Sequence, residues 1–108
     1  MEEVEIETML DRLVALGIAE DRGGDVGTTR EWNARLRRAG EELNAEISRT
    51  GVSPAGNPLV LAVERALERE PFEGRDREVA VHVLVLLEVA RMEPHEREKV
   101  GLGKLRFP

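Results

Sequence analysis

Fourteen consecutive residues, Val79–Met92 (VAVHVLVLLEVARM), limit what this chain can fold into more than any other stretch. Eleven of them are apolar, and only His82, Glu88 and Arg91 interrupt. Such a run reads as a helix buried on nearly every side, or as a buried strand, which its five valines favour. Length separates the two, because buried strands rarely exceed about 4–8 residues. The expectation is a central helix of about 21 Å at ~1.5 Å per residue, capped at Asp76.

The other elements are expected to wrap around that helix. Val4, Ile6, Met9, Leu10, Leu13, Val14 and Leu16 recur at three- and four-residue spacing, predicting an amphipathic helix over 3–16 stopped by Gly17. Ile18–Glu20 and Val26–Thr28, joined through Gly23-Gly24, read as a small β-hairpin, with a plain loop as the alternative. Thr28-x-x-Glu31 has the form of a capping box. Behind it Trp32, Leu36, Ala39, Leu43 and Ile47 form one stripe of a helix over about 29–49. Within that helix Glu31–Arg35, Arg37–Glu41 and Arg38–Glu42 stand at i,i+4, and Gly40 marks either a close helix contact or a bend. Asn57-Pro58 opens a helix reaching Glu68, and Pro71 follows it. A short fifth helix after Glu93-Pro94 and a docked tail carrying Leu102, Leu105 and Phe107 complete the expectation.

The 108 residues suit a single domain (1–108) with one core. With no cysteine there is no disulfide framework, no thiolate zinc site and no thiol nucleophile. A net charge of −6 opposes a phosphate-binding surface in general. Fourteen of the sixteen basic residues are Arg, suited to bidentate pairing with carboxylates and to covering apolar surface with their stems. The acidic start lacks the basic and apolar pattern of a signal peptide, and the 79–92 run is too short to span a bilayer. A cytoplasmic protein is the resulting expectation.

Few residues point to chemistry. Glu78 and His82 lie four apart on one helical face, a spacing that can present two metal ligands or an acid–base pair; a histidine hydrogen-bonded at the core edge is the plainer reading. His95 is expected near the start of the fifth helix. Gly101-Leu102-Gly103-Lys104 lacks the glycine spacing and the Ser or Thr of a phosphate loop. Arg30, Arg35, Arg37 and Arg38 form the strongest candidate for contact with an anion or nucleic acid, against the alternative of pairing within their own helix. No cofactor is implied.

Leu10-x-x-Leu13-Val14-x-Leu16-Gly17-Ile18-Ala19-Glu20, a glycine turn and Val26-Gly27-Thr28 together resemble the recognition helix and wing of a winged-helix domain, over about residues 4–43. The resemblance implies DNA binding by a transcriptional regulator through the first helix. That helix, however, has Glu2, Glu3, Glu5, Glu7 and Asp11 in or beside it against Arg12 alone, and a phosphate wall repels such a face. On this charge pattern a winged-helix-like element here serves protein contact.

The expected fold is therefore a small, mostly α, orthogonal domain of about five helices with one β-hairpin and a winged-helix-like N-terminal half. The expected role is a non-enzymatic interaction or regulatory module. Its partner is another protein or a second copy of the chain, since the central helix is more apolar than a monomer needs. DNA binding and a metal or catalytic site at Glu78/His82 stand as alternatives.

Overall fold

A computed structural model describes residues 2–92. Four helices and one two-stranded antiparallel hairpin make up this part of the chain: α1 (Glu3–Ala15), β1 (Ala19–Asp21), β2 (Val26–Thr28), α2 (Arg30–Thr50), α3 (Pro58–Ala66) and α4 (Gly74–Arg91). The expected fifth helix, the tail, His95 and Gly101–Lys104 lie outside the described residues.

The apolar run is helical, as its length requires. It sits inside α4, which begins earlier than expected. Glu73 is the N-cap, and Asp76 lies within the first turn, where its carboxylate meets Arg12 of α1 at 3.1 Å. Val79, Ala80, Val83, Leu84, Val85 and Glu88 are buried. Each fully buried Val or Leu contributes roughly 1.5–3 kcal/mol of transfer free energy. They pack with Met9 and Leu13 of α1, Trp32 of α2, Val63 and Leu67 of α3 and its exit, and Phe72.

The wrapping is less even than the sequence suggests. α4 lies against α1, α3 and β2, while the long α2 packs principally on α3. Val81, His82, Leu86 and Val89 on α4 are only half-buried. α3 has nine residues against eighteen in α4, about 14 Å against 27 Å at ~1.5 Å per residue. A shorter rod cannot cover a longer one, and among the described residues part of one α4 flank stays open.

The junction between α1 and α2 fixes the N-terminal half. Gly17, at φ 74°, closes α1 in a Schellman arrangement: its N–H donates to Val14 O at 3.1 Å and the Ile18 N–H to Leu13 O at 2.9 Å. Because the Ile18 amide is spent on the helix end, the first strand starts at Ala19 rather than Ile18. The register pairs Ala19 with Thr28, Glu20 with Gly27 and Asp21 with Val26. Gly23 (φ 69°) and Gly24 (φ 106°) carry the turn, which the Asp21 carboxylate braces by accepting from the Gly24 N–H at 3.0 Å.

The cap of α2 is Thr29, not Thr28. The Thr29 Oγ1 accepts from the Trp32 N–H, whereas the Thr28 hydroxyl donates to Asn33 Oδ1 at 3.0 Å. At α3 the cap is as expected, with Asn57 accepting from the Leu59 N–H at 2.9 Å and Pro58 at the first helical position. That helix ends at Ala66 and closes through turns before Pro71 is reached.

Candidate functional site

The open flank of α4 and the outer face of α3 enclose a groove of about 580 Å³. Its α4 side is a continuous stripe at helical spacing: Gly74, Arg77 and Glu78, Val81 and His82, then Val85. α3 supplies Val60 and Glu64, one turn apart. The floor is apolar, with Val85 buried and Val60 and Val81 half-buried. Gly74 has no side chain, which leaves one end unobstructed.

The polar groups stand at the rim. Arg77 donates from Nη2 to the Glu64 carbonyl oxygen at 3.0 Å, tying the start of α4 to α3. The Glu64 carboxylate makes no ion pair among the described residues. Glu78 is well exposed and reaches only Arg75 Nη1 at 3.5 Å. Arg75 is itself held by Glu5 of α1 through Nε at 3.0 Å and Nη2 at 3.2 Å, which keeps the Glu5 carboxyl below its usual range.

The sequence-derived pair Glu78 and His82 thus lies on the wall of this groove. The plainer reading of His82 changes: it has no hydrogen-bond partner among the described residues and faces the groove instead of anchoring the core edge. No third histidine or carboxylate joins the pair; among the described residues no such group of three that could hold a metal ion occurs. Sequence reasoning found these two and passed over Val60, Glu64, Arg77, Val81 and Val85. The 74–78–81–85 spacing was the available signal on α4, but nothing in sequence pairs that stripe with α3.

The four arginines divide between two places on α2. Arg35 turns toward α3, meeting Glu70 Oε1 at 2.8 Å and the Ala66 carbonyl at 3.4 Å, with its Cζ 5.3 Å from the Trp32 ring centroid. Glu31 is not its partner. Arg38 lines the α2–α3 crevice together with Arg35, Arg65 and Arg69, while Arg30 lies near the hairpin beside Glu20 and Arg22. Arg37 is exposed, and neither it nor Arg38 forms an ion pair with Glu41 or Glu42. Glu42 and Glu46 instead face Arg65 of α3, at 3.9 and 2.6 Å. At ~100° per residue Arg35 points well away from Arg30, whereas Arg30, Arg37 and Arg38 fall within about 100° of one another, so the four present no single cationic face.

A second polar constellation, not singled out from sequence, joins the hairpin to the end of α4. Asn33 Oδ1 accepts from Arg91 Nη1 at 2.7 Å, and the same Nη1 lies 3.3 Å from both Thr28 Oγ1 and Glu88 Oε1. Glu88 is 7% exposed. Burial raises its carboxyl above the usual value, opposed by the Arg91 charge and the Thr28 hydroxyl. Glu88 and Arg91, which interrupt the apolar run, are thus the polar seam holding β2 on α4.

Among the described residues no helix is long and apolar enough to cross a membrane. No protein-family model matches this sequence, and comparison with curated proteins and with solved structures finds no match.

Proposed function

We propose that this chain is a non-enzymatic protein-interaction or regulatory module whose contact surface is the groove between α3 and α4. One observation carries this reading: among the described residues, half-buried Val60 and Val81 leave part of the groove's apolar floor uncovered, beside half-buried flanks of the helix that carries the 79–92 apolar run. Apolar surface of that kind gains free energy when covered. An enzymatic reading would need convergent polar groups over the floor. Here His82 and Glu78 stand at the edge with no hydrogen-bonded acid–base pairing between them.

Val81→Glu is the informative variant, because it places a charge on the groove wall at a position already half in solvent. The experiment is crosslinking of wild type and variant in extract of the native host. A partner crosslinked beside Val60, Val81 or His82 in wild type and lost from the variant supports the proposal. An identical crosslinked set with both proteins contradicts it.

A further inference from the structure

We infer that the occupant of the α3–α4 groove is an amphipathic helix of another protein, apolar at i, i+3/i+4 and i+7, with Lys or Arg beside the apolar stripe. The inference rests on the groove being the contact surface and specifies what fills it.

The backbone decides the occupant's conformation. Both walls are helices, whose internal N–H and C=O groups are already paired, and the described strands form a hairpin at β2, on another side of α4. An extended segment laid over Val60, Val81 and Val85 would find no sheet edge to bond, and its own N–H and C=O groups would face an apolar floor unsatisfied. A helix satisfies its backbone internally and offers only side chains, as in helix-in-groove recognition.

Charge decides the flanks. Glu64 and Glu78 stand at the rim against Arg77, which is turned to the Glu64 carbonyl. Glu64 has no ion pair among the described residues, and Glu78 shares Arg75 with Glu5. Basic side chains on the incoming helix complete both carboxylates, while acidic ones are repelled. Shape argues against a second copy. A two-fold contact whose axis passes through the groove sets concavity against concavity and leaves a void at the centre.

The test is selection from a phage-displayed library of random 16-residue peptides against the full chain, with counter-selection on Val81→Glu. Val60→Glu serves as a second groove variant, and far-UV circular dichroism checks that both fold. Expected winners repeat apolar residues every three or four positions and carry Lys or Arg, and their synthetic versions gain helicity on binding. They should lose about a hundredfold in affinity on Val81→Glu. The double variant Glu64→Gln/Glu78→Gln should cost them about tenfold. Groove-dependent winners that bind extended, contain proline at the centre or are acidic overturn the inference while leaving the groove as a contact surface. Self-association in sedimentation velocity that Val81→Glu abolishes does the same, by naming a second copy as the occupant. If neither peptide binding nor self-association responds to either groove variant, both this inference and the proposed contact surface fail.

Discussion

The Thr29 hydroxyl donates a 2.7 Å hydrogen bond to the Gly17 carbonyl oxygen and accepts one from the Trp32 amide at 3.2 Å. One side chain therefore satisfies a carbonyl beyond the end of α1 and a free amide at the start of α2, and the Thr29 N–H adds a bond to Ile18 O at 3.0 Å. Thr29 is 8% exposed, so water cannot readily replace these partners. Thr29→Ala is expected to lower stability by about 1–2 kcal/mol, read as a lower urea midpoint. Thr29→Ser should recover most of it; equal loss in both variants would place the effect in the methyl group instead.

Gly17 and Gly40 should respond in opposite directions to the same change. A methyl group meets nothing within 4 Å at either position, so only the backbone decides. Gly17 holds φ 74°, and Gly17→Ala should destabilise by about 1 kcal/mol. Gly40 is in the interior of α2, with neither the close helix contact nor the positive φ that would need glycine. Gly40→Ala should stabilise by roughly 0.5–1 kcal/mol. Thermal unfolding of the two variants side by side is the check.

Glu88 gives a pH dependence of definite sign. Burial holds its carboxyl above the ordinary 4.5 in the folded protein. The folded state then keeps a proton that the unfolded chain releases, so this group's contribution to stability falls as pH rises from near 4.5 through the raised folded value, and is level above it. Glu5 and Glu46, held low by hydrogen bonds from Arg75 and Arg65, act the other way, losing their contribution as pH falls through their lowered values. The stability difference between Glu88→Gln and wild type cancels those two groups. It should shift in favour of the glutamine variant as pH rises through the Glu88 window. A difference that does not vary with pH, measured by urea unfolding at a series of pH values, would contradict this.

Leu84 is fully buried at the centre of α4. Leu84→Ala should cost about 2–5 kcal/mol, and Leu84→Asp should abolish folding, since the carboxylate would be buried without a partner. Retention of wild-type thermal unfolding by Leu84→Asp would refute the placement of α4.

What was legible in the sequence follows from how local each determinant is. Periodicity and end signals placed all four described helices to within a few residues at most ends, and Gly23-Gly24 placed the hairpin. The start of α4 moved from Asp76 to Glu73, because Asp76 serves Arg12 across the α1–α4 contact instead of capping its own helix. Thr28 and Thr29 are adjacent and chemically alike; only the strand register, which turns Thr28 toward Asn33, assigns the cap to Thr29. Arg35 and Glu31 share a spacing that suits pairing, yet Glu70 is a distant acid that α3 and its exit bring to 2.8 Å. The groove depends on α3 being half the length of α4 and lying beside it, a relation between elements that no single periodicity encodes.

α4 keeps Val83 and Leu84 inside, while Val81, with Val60 of α3, faces a groove that is open among the described residues. The most direct measurement is relaxation enhancement of labelled Val and Leu methyl groups by a soluble, uncharged paramagnetic probe. Strong enhancement at Val81 and Val60 with little at Val83 and Leu84 is the predicted result. Equal protection of Val81 and Leu84 would contradict the account, because the groove would then be closed.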